Sequence, residues 1–387
     1  MEQVSKGLRP HIVLAGPVNA GKSTLFNRLV GQTKALVSPE AGTTTDTVSQ
    51  AFELPGFGAV VFVDTPGMGD TGTLGAARIE VAKRALREAD LILFIADSGF
   101  ECFSVIKSVS SAPILPVFVQ KRPSGEDLKE SDKIAGGQPI VLGEDLAPLY
   151  ARIAVLLRAS SPDTPVDLTG SLVKPGDVVL LVMPQDSEAP KGRLILPQVQ
   201  TIRELLDKHC LVLSAQPSEM TAALSSLKEP PKLIITDSQK FAEVRQLTPP
   251  GVPLTSFSVL MSAYKGDLKK LIEGAARLDT LRGDGRVLIA EACAHAPNGE
   301  DIGTVKLPRL LRKRFGPGLE IDHVTGKDFP EDLSGYDLVI HCGACMFNRA
   351  HLLSRQAEAE AQGVPMTNYG IAIAGLLGIL SDVTLPS

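Results

Sequence analysis

The sequence predicts an α/β protein in three parts: an N-terminal doubly wound sheet of the P-loop type, a small middle α/β unit and a C-terminal α/β unit. Three observations carry that expectation. Short apolar runs alternate with helical stretches along the whole chain, the pattern of parallel strands joined by crossover helices. A glycine-rich turn, "GPVNAGKST", separates the first strand from the first helix. Far downstream, two Cys/His clusters stand just past the carboxyl ends of apolar strands, where ligands gather in open α/β sheets.

In the first part "HIVLAG" reads as a buried strand and "KSTLFNRLVG" as a helix. "AVVFVDTPG", "ADLILFIADS" and "APILPVFVQK" read as further strands. The stretch "SSPDTPVDLTGSLVKPGD" concentrates Pro, Ser, Asp and Gly and suits a linker. It sets the expected domains at residues 1–162, 170–262 and 263–387. The middle part has a strand "DVVLLVMP" and an amphipathic helix "QVQTIRELLDKHC". Two more strands are expected in "PKLIITDS" and "VPLTSFSVLM". No chemical motif shows there, so an interaction or dimerisation role is the economical one. The last part has strand-plus-loop units in "RVLIAEACAH", "DLVIHCGAC" and "VPMTNYGIAIAG", separated by the helical "LPRLLRKRF" and "FNRAHLLSRQAEAEAQG".

A chain of 387 residues can bury two or three cores. Its net charge of −5 gives no general attraction to nucleic acid. The start, "MEQVSKGLRP", lacks the apolar core of a signal peptide, and the longest apolar run, Ile371 to Leu380, is too short to span a bilayer. The expectation is a cytoplasmic protein with neither nucleic acid nor membrane as a partner. Five cysteines in a chain this long do not make a disulfide framework. Cys102 and Cys210 stand alone and read as buried small hydrophobes.

Gly16-Pro-Val-Asn19-Ala20-Gly21-Lys22-Ser23, followed by Thr24, matches G-x-x-x-x-G-K-S between a strand and a helix. Such a loop wraps phosphate oxygens in backbone N–H groups, and the helix N-terminus adds its dipole. Lys22 is expected to reach the β- and γ-phosphates and Ser23 the Mg²⁺. In "VDTPG", Asp64 is expected to hold Mg²⁺ through water and the Gly67 N–H to sense a γ-phosphate. The plainer alternative is a strand-ending turn. No glutamine or histidine follows to orient a water: Met68 stands there, and Glu80 is the nearest acid on the next helix. Slow hydrolysis suits a regulatory switch.

The second constellation is Cys293-Ala-His295 with His341-Cys342-Gly343-Ala344-Cys345. Cys-x-x-Cys lets two thiolates reach one centre, with Gly343 making the turn, and Cys293 would supply a third. This donor set suits tetrahedral zinc, an iron–sulfur cluster or a redox pair, and the residues alone leave the first two open.

Between the two phosphate-side motifs lies "GTTTD", Gly42 to Asp46, which resembles the first switch of TrmE–Era-type small GTPases. The resemblance covers residues 10 to about 125. It implies GTP as nucleotide, Thr44 as the Mg²⁺-sensing threonine and Asn19 as a ligand for an activating K⁺. There is one departure. Where that class reads guanine with N-K-x-D, this chain has Gln120, Lys121 and, in the aspartate position, Pro123. Losing a base-reading carboxylate is expected to blunt guanine-over-adenine preference by ~1–3 kcal/mol if nothing replaces it. No S-A-K-like element follows.

C-x-H and H-C-x-x-C behind such a domain resemble, nearly end to end, the iron–iron hydrogenase maturation family HydF. "DSEAPKGRLILPQVQTIRELLD", "SAYKGDL" and "GVPMTNYGIAIA" look like its middle and terminal segments. The resemblance implies a 4Fe-4S cluster on Cys293, Cys342 and Cys345. Its fourth position is exchangeable or taken by a residue such as His295 or His341. It further implies a homodimeric scaffold that receives a diiron precursor made with two radical-SAM maturases and delivers it to apo iron–iron hydrogenase. The alternatives are an RNA- or ribosome-directed GTPase with a structural zinc domain, and a carrier of ordinary iron–sulfur clusters.

Overall fold

A computed structural model describes residues 9–31, 47–68, 75–97, 100–120, 122–135, 139–160, 167–184, 194–292, 301–326, 328–344 and 347–386. The chain forms two compact units, Met1–Pro165 and Val166–Ser387.

The first unit holds six strands: β1 (His11–Ala15), β2 (Val48–Leu54), β3 (Gly58–Asp64), β4 (Leu91–Ile95), β5 (Ile114–Phe118) and β6 (Ile140–Val141). Their order is β2-β3-β1-β4-β5-β6. All run parallel except β2, which pairs antiparallel with β3. Successive residues of β1 face opposite sides of the sheet. Ile12 and Leu14 join the core under the helices Lys22–Val30 and Ala147–Ser160. Val13 and Ala15 join the core under Gly75–Arg87 and Phe103–Val109. The sheet is doubly wound because β1 is apolar on both faces.

The second unit holds two four-stranded parallel sheets. One contains β7 (Val178–Val182), β8 (Leu211–Ala215), β9 (Leu233–Thr236) and β10 (Leu254–Ser256), in the order β10-β9-β7-β8. The other contains β11 (Arg286–Ala290), β12 (Glu320–Val324), β13 (Leu338–His341) and β14 (Met366–Asn368), in the order β12-β11-β13-β14. A single core runs between them, with Leu180 and Val182 from one sheet and Leu288 and Val339 from the other.

Two apolar segments differ from expectation. "VPLTSFSVLM" and "VPMTNYGIAIAG" are strand for three residues and then become the helices Phe257–Lys265 and Tyr369–Leu376. Ser256 and Asn368 switch the backbone, each accepting the N–H three residues on, from Val259 and Ile371. The helix Tyr369–Leu376 is apolar nearly all round, so no polar face marks its period, whereas Phe257–Lys265 carries a polar stripe of Ser258, Ser262 and Lys265 at helical spacing. Among the described residues no helix is long and apolar enough to cross a membrane.

Candidate nucleotide and thiolate sites

The loop after β1 is shaped by its backbone. Gly16 has φ 153°, Asn19 φ 60° and Gly21 φ 88°. A Cβ on Gly16 would lie 2.8 Å from the Ile95 carbonyl oxygen, so the loop approaches β4 too closely for a side chain. Asn19 adopts a left-handed conformation that asparagine tolerates better than most residues. Ala20 is buried, and Ser23 and Thr24 are half-buried in the first turn of the helix.

Lys22 folds back over this loop. Its Nζ donates to the Pro17 carbonyl at 2.6 Å and the Gly16 carbonyl at 3.3 Å. Burial pulls its pKa down to about 8, against the opposing pull of Asp64 and Cys102. Ser23 Oγ donates to Asp64 Oδ2 at 2.6 Å, while the buried Oδ1 of Asp64 has no hydrogen-bond partner. Burial pushes the Asp64 carboxyl up to about 6, against the Ser23 hydrogen bond and the Lys22 charge. A hydroxyl and an under-used carboxylate oxygen beside a buried lysine fit the needs of Mg²⁺ and a triphosphate.

The turn after Asp64 lies directly on the phosphate loop. Thr65 Oγ1 donates to the Leu14 carbonyl at 2.7 Å, and the Met68 N–H donates to the Gly16 carbonyl at 3.1 Å. A Cβ on Gly67 would come within 2.6 Å of the Val18 Cα. Glu80 is paired with Lys83 at 2.6 Å on its own helix. Thr44, with the whole of Gly42–Asp46, and Lys121 lie outside the described residues.

One residue of this site was missed in the sequence. Asp97, one residue beyond the buried Ala96 that follows β4, accepts the backbone N–H groups of Val119 at 2.7 Å and Gln120 at 2.8 Å. It thereby fixes the turn after β5, where the base-reading residues belong. The signal was the acid in "FIADS", at a strand end beside a strand end. The side-chain nitrogen of Gln120 lies 3.8 Å from where a Cβ of Gly21 would be, so this turn reaches the phosphate loop.

In the second unit, register pairs Ala290 with His341, so the ends of β11 and β13 lie side by side. Cys342 follows at once. Its Sγ accepts the N–H groups of Ala292 at 3.1 Å and Ala344 at 3.4 Å. Two N–H donors converge on one sulfur and fix its orientation, as hydrogen-bond partners do around metal-binding groups. The left-handed residue of this turn is Ala344, φ 47°, and Gly343 has no positive φ, so the turn is made one residue later than expected. Cys293, His295 and Cys345 lie outside the described residues. Among the described residues no group of three His, Cys, Asp or Glu side chains could hold a metal ion. The donor chemistry of Cys342 is what fits.

His341, named above as a possible ligand, has protein partners at both ring nitrogens here. It is fully buried, with Nδ1 2.7 Å from the Cys342 carbonyl oxygen and Nε2 2.7 Å from Arg355 Nη1. The carbonyl requires Nδ1–H as donor and the guanidinium requires Nε2 as acceptor, so both ring nitrogens are used. Burial, with the Arg355 charge, holds its pKa well below the usual histidine range. Arg355 also donates to the Gly326 carbonyl at 2.8 Å and stacks over Phe329 at 4.7 Å. On the other side, buried Glu291 accepts from the Tyr369 hydroxyl at 3.0 Å, and burial pushes that phenol far above its usual range. Cys102 and Cys210 are both buried in apolar cores, and burial is the main cause raising each thiol's pKa.

The chain is similar to three known families in succession. Residues 11–120 match the 50S ribosome-binding GTPase family, residues 168–266 the hydrogen maturase F dimerization domain, and residues 269–385 the hydrogen maturase F tetramerization domain. GTPase Era of Aquifex aeolicus is 40% identical over 91 residues, which are 23% of this chain and 30% of Era. The tRNA modification GTPase MnmE of Zymomonas mobilis is 47% identical over 96 residues, 24% of this chain and 21% of MnmE. The chain thus spans under a third of these two curated relatives. An Era structure with MgGDPNP and a fragment of 16S ribosomal RNA overlays with a TM-score of 0.34 at 20% identity, covering 54% of this chain and 94% of that one. The two maturase-specific matches together take in more than half of the sequence. The chain belongs to the hydrogen maturase F family, HydF, and carries an N-terminal GTPase domain related to Era and MnmE.

Proposed function

We propose that this protein is a GTP-binding iron–sulfur scaffold that carries the diiron subcluster to apo iron–iron hydrogenase. The observation that carries the reading is Cys342, a sulfur held by two backbone N–H groups at a strand end beside the segment that leads to Cys293. Cys293, Cys342 and Cys345 would hold a 4Fe-4S cluster. With three protein ligands, such a cluster supplies an open iron to which a cargo can attach and from which it can leave. The chain's own part is to hold the Cys342 sulfur in place, through the N–H groups of Ala292 and Ala344 and the hold of His341 on the Cys342 carbonyl.

The first unit would act as a slow GTP hydrolase used as a switch. Lys22 would neutralise β/γ charge, while Ser23, Thr44 and Asp64 would hold Mg²⁺, Gly67 would report the γ-phosphate and Asn19 would bind K⁺. The family matches name dimerization and tetramerization domains, so the working form would be an oligomer. Two radical-SAM maturases would load it, in the cytoplasm. The decisive experiment is anaerobic reconstitution with iron and sulfide, followed by metal analysis, visible and EPR spectra, and a maturation assay with apo-hydrogenase. A brown, EPR-active protein that activates the hydrogenase is expected. A colourless protein that takes zinc and no iron under these conditions rules the reading out.

A further inference from the structure

The two sheets of the second unit have one topology. Counted in chain order within each sheet, the strands lie 2-1-3-4 in both, all parallel. The sequences echo each other at matching places. A Leu-Pro pair opens the first long helix of each, Leu196-Pro197 and Leu307-Pro308. "GVPLTSF" and "GVPMTNY" bracket the fourth strand of each. Leu196 to Gly251 is 55 positions and Leu307 to Gly363 is 56. Both misread segments of the fold are this same motif.

The copies also meet through the same element. Ser258 and Gly370 are the second residues of the equivalent helices Phe257–Lys265 and Tyr369–Leu376. A Cβ on Gly370 would lie 2.3 Å from the Ser258 Cβ, so the two backbones touch at equivalent points. Like meeting like is the mark of an approximate two-fold arrangement. In such a pairing each copy's strand-end turn falls on the other copy. The turn after β9 contacts the helix Tyr369–Leu376, and its Gln239 accepts from Lys306 Nζ at 2.7 Å. The turn after β13, which starts at Cys342, leads to Phe347. The Phe347 carbonyl accepts from Lys265 Nζ at 2.6 Å, and Arg349 Nη1 donates to the carbonyls of Ala263 and Tyr264 at 3.1 and 2.6 Å.

We propose that the two sheets are tandem copies of one folding unit, and that Lys265 of the first copy is a positioning residue for the thiolate turn of the second. Lys265 is 1% exposed, an unusual place for an ammonium unless it has a partner to satisfy. Its position in the second copy is taken by Leu377, so the lysine is a departure from the repeat rather than part of it. The departure falls on the one turn that carries Cys-x-x-Cys. Nζ donates to a carbonyl just beyond that motif, while the Ala292 N–H pins the sulfur at its start. The turn is held at both ends, one of them from the neighbouring copy.

The proposal rests on the Cys342 turn being the functional thiolate site, yet its first test needs no metal. In full-length metal-free protein, the alkylation rate of Cys342 by a maleimide is followed by peptide mass spectrometry. Lys265→Met keeps the volume and removes the donor. It should speed the reaction roughly tenfold, the scale of one lost hydrogen bond. Arg349→Met should act in the same direction, and Lys265→Gln, which keeps an N–H donor, should stay close to wild type. If Lys265→Met does not fold, Arg349→Met and Lys265→Gln decide. After anaerobic reconstitution, the same donor-less variants should show an altered EPR line shape. Wild-type alkylation rates in folded Lys265→Met or Arg349→Met overturn the proposal, as does equal acceleration in Lys265→Gln and Lys265→Met. Wild-type protein that binds no iron would sink the cluster reading alone and leave the alkylation result standing.

Discussion

If Asp64 holds magnesium as proposed, its buried carboxyl couples magnesium binding to protons. Its pKa is held up to about 6 by burial, and Mg²⁺ needs the carboxylate. Mg²⁺-dependent nucleotide affinity should therefore rise with pH through about 6, approaching tenfold per unit on the acid side and flattening above. Titrating a fluorescent GTP analogue between about pH 5 and 7.5 reads this directly, and Asp64→Asn should remove the step. The stability effect has the opposite sign. The native carboxyl binds its proton more tightly than the unfolded one, so this residue's contribution falls as pH rises from the ordinary carboxylate range to about 6. Asn19 carries a second prediction at this scale. If it holds a cation beside the phosphates, hydrolysis should run faster in K⁺ than in Na⁺ at matched ionic strength, because a fixed positive charge stabilises the transition state. Equal rates would remove K⁺ from the mechanism.

The turns after β5 and β6 are where base selectivity is expected to be set. Pro123 offers no carboxylate, and three aspartates around these turns are already engaged. Asp97 accepts from Val119 and Gln120, Asp127 from Ser124, and Asp145 from the Ala147 N–H. GTP should therefore outcompete ATP by far less than a GTPase with an intact N-K-x-D, by a deficit of roughly ten- to a hundredfold. Competition binding decides it, and a thousandfold preference for GTP would mean that another group reads the base. The helix Leu268–Ala275 gives a stability prediction. A Cβ on Gly274 would fall 2.0 Å from the Met366 carbonyl oxygen of β14, a backbone atom that cannot yield. Gly274→Ala should cost about 1–3 kcal/mol, read from denaturant unfolding, although alanine is the better helix former. An unchanged midpoint would mean that the helix slides freely on the sheet.

For the molecule as a whole, the phosphate loop and the thiolate turn belong to separate compact units. Serine at Cys293, Cys342 or Cys345 should each abolish stable iron binding and hydrogenase maturation, because a harder, weaker ligand replaces a thiolate. GTP turnover by the isolated variants should stay within about twofold of wild type, since no nucleotide contact is touched. A large loss of hydrolysis in all three would mean that the cluster supports the nucleotide site. What the sequence determined by itself is the chemistry written in contiguous residues. The glycines and Lys22 of the phosphate loop and Asp64 at a strand end are legible because neighbours in the chain lie together in the loop they build. The buried strands β1, β3, β4, β5 and β7 were legible for a similar reason, being short apolar runs. Edge strands β2 and β12 were not, because their half-exposed faces mix polar and apolar residues without a clean period. The helix Tyr369–Leu376 passed for loop because nothing polar marks its turns, and Phe257–Lys265 passed for strand although Ser258, Ser262 and Lys265 stand at helical spacing. Only the tertiary structure decided the rest: that His341 gives both nitrogens to Cys342 and Arg355, that Asp97 caps the turn after β5, and that Lys265 reaches Phe347 from 82 residues away. Each of these is a partnership across sequence distance, fixed by which strand ends the sheets bring together, and no local pattern encodes it.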